Sequence, residues 1–246
     1  MRSLIVSKKT IMLISILLLS GLFVCSDILA YDFTDWYHGA SGYEDALDEV
    51  IEAEKPLILY FHREDCKWCE KLESEYFASD KMDQFITNIP RVEISSAKEA
   101  AEKALYNKYG VTRVPAFFVL IPSIDSTKPA KRISPFINGK HKTTDAFVDA
   151  IKNRITYKYN NKGYTLFKNK QYEEAIKYYE MSLNFDSRNV YAYYAMGLVY
   201  HTIGYNQKDP DLFEKAEENF SKALEIDPNH QESLKGLDNL RKGKIQ

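Results

Sequence analysis

The sequence predicts an α/β domain followed by an all-α helical-repeat region. Three observations carry this. Leu57–Phe61 and Ala116–Ile121 are continuous apolar runs of the kind that form buried strands. Helix-period stretches alternate with such runs up to about residue 155. Beyond it strand patterning stops, and small and aromatic residues recur 34 positions apart.

Tyr43–Lys55 reads as a helix, with Ala46, Leu47, Val50 and Ile51 spaced three and four apart on an acidic background, and Pro56 stops it. Leu57–Phe61 is the first strand. Cys66–Ala78 is a helix whose Cys69, Leu72, Tyr76 and Phe77 face inward, and Lys81–Thr87 is a shorter helical piece. Arg91–Ser95 is a strand, Lys98–Lys108 a helix and Ala116–Ile121 a second apolar strand. Arg132–Ile137 reads as an edge strand because Pro135 removes a ladder donor. Asn138-Gly139 is a turn, and Thr143–Arg154 an amphipathic closing helix. The chain therefore divides near residue 155, into residues 31–155 and 156–246.

In the second part Tyr159, Gly163, Ala175 and Tyr179 are echoed by Tyr193, Gly197, Ala216 and Phe220. The period and the small-residue slots resemble tetratricopeptide (TPR) repeats. Repeat one spans Thr156–Asn189 and repeat two Val190–Asn229, ending in Ala223-Leu-Glu-Ile-Asp-Pro-Asn229; His230–Leu240 is a capping helix. Gly204–Asp211 is expected to be a turn about seven residues longer than usual, with Pro210 starting the next helix. Such units cannot bury their apolar faces alone, so they are expected to pack on the first domain.

Residues 1–30 read as a signal peptide. Arg2, Lys8 and Lys9 precede a 14-residue apolar run, Ile11–Val24, too short to span a bilayer comfortably, and Ala30 offers a cleavage point. An uncleaved anchor and lipid attachment at Cys25 are the alternatives. The expected location is the periplasm or cell envelope, with membrane contact only if this segment is retained. The 246 residues have ordinary globular composition, and their net charge of −2 gives no basic field for nucleic acid.

After cleavage two cysteines remain, Cys66 and Cys69, in Cys66-Lys67-Trp68-Cys69. Following a strand and opening a helix, Cys66 meets unpaired N–H groups and partial positive charge, which favour the thiolate. Thiolate is the attacking species in disulfide exchange, and Cys69, one turn on, is placed to resolve the mixed disulfide. Lys67 adds to thiolate stabilisation, while Glu64 and Asp65 oppose it. The pair could also be half of a zinc site with His62 and one more ligand, against which stands that structural zinc wants four ligands and only two thiols are present. His62 reads as a neighbour of the pair or a rim residue.

The CxxC, the Val114-Pro115 dipeptide about 45 residues on, and the element order resemble the thioredoxin superfamily over residues 40–155. The resemblance implies a thioredoxin fold, a redox-active Cys66–Cys69 disulfide, and a cis Pro115 that presents backbone to an extended substrate. It implies substrate contacts at Trp68, Val114 and Pro115. It also implies that Glu73 sits near the thiols and tunes proton transfer, as in exported reductant-transferring relatives. Two departures stand out: Tyr60 replaces a buried Asp, and Asp65 replaces the Trp before the first cysteine.

Two functions follow. The first is an exported thiol–disulfide oxidoreductase, leaning to reductase, that acts on protein disulfides, is reset by a membrane redox partner, and recruits a protein through its repeats. The second is an interaction scaffold whose cysteine pair is an inert structural disulfide. No nucleotide or flavin motif is present, and no cofactor is expected.

Overall fold

The computed structural model describes residues 31–95, 99–125, 131–137 and 140–243. The leader with Cys25, the Asn138-Gly139 turn and the Lys98 helix start lie outside them.

The first part is a four-stranded sheet covered by helices. Its strands are β1 (Tyr37–His38), β2 (Leu57–Phe61), β3 (Arg91–Ile94) and β4 (Ala116–Leu120), in the order β1-β3-β2-β4. β1, β3 and β2 run parallel, and β4 is antiparallel to β2. All residues of β2 and β4 are buried, as continuous apolar runs require. Leu57, Leu59 and Phe61 point to one face, which α1 (Gly39–Ala53) and α4 (Ala100–Lys108) cover. Ile58 and Tyr60 point to the other face with Phe117 and Val119, into the larger core. That face is covered by α2 (Lys67–Leu72), α3 (Asp80–Ile86) and α6 (Thr144–Lys168).

Several elements differ from the sequence expectation. α1 starts at Gly39 and leaves Ile51 exposed, so one of its four expected apolar contacts is missing. The helix expected over Cys66–Ala78 is α-helical only to Leu72, and Glu73–Phe77 form a π-helical turn. A short α5 (Pro122–Asp125) follows β4. The expected edge strand Arg132–Ile137 shrinks to a single bridge between Ile133 and Phe117. Beyond Pro135, β5 (Phe136–Ile137) pairs instead with β6 (Lys140–His141), since proline gives β4 no ladder donor.

α6 does not stop at Arg154. It runs 25 residues, unbroken through residue 155, so the composition shift between the two parts falls inside one helix. The remaining helices are α7 (Tyr172–Phe185), α8 (Val190–Gln207), α9 (Pro210–Ile226) and α10 (Gln231–Gly243). The long turn expected at Gly204–Asp211 is mostly further helix. α8 continues to Gln207, Lys208 turns left-handed at φ 54°, and Pro210 opens α9 capped by Asp209.

The repeat slots work through close approach. A Cβ at Gly163 would lie 2.8 Å from the Tyr179 ring, and one at Gly197 2.7 Å from Phe220. Gly236 in the capping helix meets the same Phe220 ring, at 2.6 Å. Gly236 was not among the repeat positions read from the sequence.

The repeats pack on the first part as expected. One hydrophobic core runs from Trp36 and Tyr60 through Phe147 and Tyr159 to Ile203. Polar contacts reinforce it at Glu54, the left-handed residue (φ 52°) that ends α1. Its carbonyl accepts the Tyr159 hydroxyl at 2.8 Å, and its carboxylate accepts Lys177 Nζ at 2.5 Å and the Tyr178 hydroxyl. Lys158 pairs with Asp125 nearby.

Candidate active site

The cysteine pair sits where β2 feeds α2. Phe61 ends the strand, a short loop carries His62 to Asp65, and Cys66 is the N-cap of α2. Cys66 and Cys69 form a disulfide with Cα atoms 5.2 Å apart. The Cys69 backbone N–H donates to Cys66 Sγ at 3.2 Å. The same donor would hold a Cys66 thiolate after reduction, and the helix end adds favourable potential. Cys66 is 6% exposed and Cys69 1%, so Cys66 is the sulfur a partner reaches first.

Asp65 pairs with Arg63 at 2.8 Å, and both side chains are well exposed. Its charge is therefore balanced locally and screened by water, and it opposes a Cys66 thiolate less than its position suggests.

Trp68 is 53% exposed, and its ring meets Phe136 of β5 at 5.3 Å. The Val114–Pro115 peptide is cis. Register sets Ala116 beside Phe61, so this peptide and the loop to Cys66 leave the same end of the sheet. The Pro115 carbonyl accepts a hydrogen bond from Arg132.

Glu73 lies one turn past Cys69, and its backbone N–H bonds the Cys69 carbonyl. Its carboxylate accepts the Tyr60 hydroxyl at 2.8 Å and meets His62 Nδ1 at 3.3 Å. Tyr60, the departure from the thioredoxin pattern, thus binds a carboxylate that comes from the helix rather than the strand. Burial and the Glu73 carboxylate push the Tyr60 phenol far up, so it remains a donor. His62 Nε2 meets Glu93 Oε2 at 2.7 Å, and Glu93 Oε1 meets His38 Nδ1 at 2.8 Å. Strand register explains the cluster: Glu93 is the partner of both Tyr60 and His38. Burial opposes charge on His62, but the hydrogen bonds to Glu73 and Glu93 outweigh it and push its pKa up to about 9. Burial likewise opposes charge on Glu93, and its two histidines overcome this and hold it below the usual carboxylate value.

His62 and Glu73 were placed near the pair from sequence, but Glu93 and its link to His62 were not. Glu93 carried a signal: it is a charged residue inside a strand buried at every position.

Family models agree with this architecture. A family model described as a thioredoxin-like domain matches residues 43–123. Models described as TPR repeat and tetratricopeptide repeat match residues 163–204 and 190–230. The chain carries a thioredoxin-like domain followed by TPR repeats. Among solved structures, a thioredoxin from Thermus thermophilus is 18% identical (TM-score 0.37), covering 48% of this chain and 84% of that one. A structure titled DsbH Oxidoreductase is 21% identical (TM-score 0.38), covering 54% and 95%. The C-terminal TPR-containing domain of a Plasmodium falciparum protein titled as a putative FK506-binding protein is 25% identical (TM-score 0.31), covering 45% and 72%. No curated protein matches the chain. The thioredoxin-like domain and its cysteine pair support a thiol–disulfide oxidoreductase.

Proposed function

We propose that this protein is an exported thiol–disulfide oxidoreductase that reduces protein disulfides, and that its TPR repeats recruit a protein partner or substrate. The observation that carries the reading is the Cys66–Cys69 disulfide capping α2 at the strand end, with Cys66 Sγ already bonded by a backbone N–H. Cys66 attacks a substrate disulfide, and Cys69 resolves the mixed disulfide. Trp68 and the Val114–Pro115 backbone contact the substrate chain. A membrane redox partner returns the pair to the dithiol. Export rests on the leader pattern of residues 1–30 and puts the chemistry in the periplasm or envelope, where the alternative is retention by an N-terminal anchor.

Equilibration of the pair with glutathione tests this. A potential near about −270 mV supports a reductase, and one near about −120 mV an oxidant. Exchange activity retained in full by Cys66→Ala would refute the mechanism.

The burial of both sulfurs favours a second reading, an interaction scaffold with a structural disulfide. That reading predicts resistance to alkylation under mild reductant and a potential below about −300 mV.

A further inference from the structure

Four titratable side chains form a row beneath the cysteine helix, and the exchange steps described above use none of them. Glu73, on the turn after α2, meets His62 at 3.3 Å; His62 meets Glu93 of β3 at 2.7 Å; Glu93 meets His38 of β1 at 2.8 Å. The first three side chains are 12–13% exposed, and His38 is 59% exposed. Other groups fix the ring in place. It lies parallel to Tyr60 with centroids 4.9 Å apart, and Phe33 packs 5.0 Å away. Tyr106 of α4 donates to the His62 backbone carbonyl. The Tyr60 hydroxyl takes one Glu73 oxygen, the same Oε1 that faces His62.

Two buried carboxylates on one imidazole are stable only when the ring carries the charge between them. Its raised pKa agrees with this geometry. Glu73 is four residues past Cys69 on continuous helix, so the two side chains share a face. Without the imidazolium, Glu73 and Glu93 would lose the cation between them; among the described residues Glu93 also meets His38 at the rim.

We infer that His62 is a positioning residue of the exchange reaction: fixed by Glu93, it holds the Glu73 carboxylate in place one turn beyond Cys69, as the acceptor of the Cys69 proton. The inference rests on the oxidoreductase reading. In the first step the Cys66 thiolate attacks a disulfide; a Cys66–substrate bond forms and one substrate thiolate leaves. In the second, the Cys69 thiol gives its proton to Glu73 and its sulfur attacks Cys66 Sγ. The Cys66–Cys69 bond forms, the Cys66–substrate bond breaks, and the second substrate thiolate leaves. Two protein thiols are oxidised and one disulfide is reduced by the same two electrons.

An aromatic disulfide reagent such as dithiobis(nitrobenzoate) separates the steps, because each releases one coloured thiolate. The full chain carrying Cys25→Ser, so that only Cys66 and Cys69 react, is reduced, freed of reductant and mixed with the reagent in stopped flow. His62→Gln is expected to leave the first release unchanged and to slow the second about 10- to 100-fold near neutral pH. Its second release should rise about tenfold per pH unit, as thiol ionisation by solvent base demands, while the wild-type rate is nearly flat. Glu93→Gln, which keeps the imidazole bonded, should slow the second release in the same direction and serves if His62→Gln does not fold. In Glu73→Gln the further change His62→Gln should add nothing. Second releases at wild-type rate and with wild-type pH dependence in both His62→Gln and Glu93→Gln overturn the inference while exchange itself stands. Failure of the wild-type chain to release either thiolate overturns the oxidoreductase reading and this inference with it.

Discussion

Two glutamates in this chain each gather a tyrosine hydroxyl and a cation, in different parts of the molecule. Glu73 holds Tyr60 and His62 beside the cysteine helix. Glu54 holds Tyr178 and Lys177 where the first domain meets the repeats, and its carbonyl takes Tyr159. The first cation is a largely enclosed imidazole whose pKa is raised to about 9. The second is an exposed lysine amine. The same short list of groups thus serves proton chemistry in one place and attachment in the other. What separates them is which cation is recruited and how much water reaches it.

The comparison makes opposite claims about pH, and this is the largest effect expected. His62 has a folded pKa raised to about 9, so its contribution is complete below its ordinary value of 6.5 and is lost as pH rises through 9. Wild-type stability in urea should fall by roughly 3 kcal/mol over that interval, and His62→Gln should lack this slope. An equal slope in the variant would place the titration elsewhere. At Glu54 burial would raise the pKa, but the bonds from Lys177 and Tyr178 prevail and lower it. Its contribution is present above the ordinary carboxylate value and lost in acid. Glu54→Gln should flatten the acid limb and leave the alkaline limb as it was.

Next in size, Glu54→Ala should cost about 1–3 kcal/mol through the lost bonds to Tyr178 and Lys177. Glu54→Gly should cost roughly 1 kcal/mol less, because glycine relieves the left-handed backbone at this position. Guanidinium melts of the two variants decide the matter, and equal losses would show that the backbone carries no strain. Tyr159→Phe should cost about 1 kcal/mol, the worth of its hydroxyl bond to the Glu54 carbonyl. Trp68→Ala should change stability by less than about 0.5 kcal/mol, since half its surface already faces water. It should nevertheless slow exchange with a protein disulfide more than with a small aromatic one. Equal slowing would remove Trp68 from the substrate contacts.

Much of this was legible in the sequence. β2 and β4 stood out because strands buried on both faces are apolar throughout. The cysteine pair stood out because its spacing is local to one helical turn. The Glu73–His62–Glu93–His38 row was not legible, because it depends on register: Tyr60 and His38 face Glu93 only once three strands are aligned. The Glu54 junction joins residues more than 100 apart in sequence, and no local pattern encodes it. Helix ends were misjudged where composition and hydrogen bonding disagree. Residues 155–160 change in composition, yet nothing there breaks a helix, so α6 continues. Gly204 suggested a turn, but α9 crosses close to it, and a Cβ there would lie 3.1 Å from Leu212. The glycine thus serves close packing within a helix that ends only before Asp209-Pro210.

α6 also has a consequence for how the molecule comes into being. Its 25 residues span about 37 Å as one rod, with Phe147 and Ile151 under the sheet and Tyr159 and Leu166 among the repeats. During synthesis, the sheet face that carries Tyr60 cannot be covered until the rod has left the ribosome, and by then the first repeat helix has emerged with it. For recombination between genes, a cut at the compositional seam would sever a helix and strip both halves of a wall. The two units are therefore inherited, translated and folded together, and neither can be exchanged for another of its kind without rebuilding the rod.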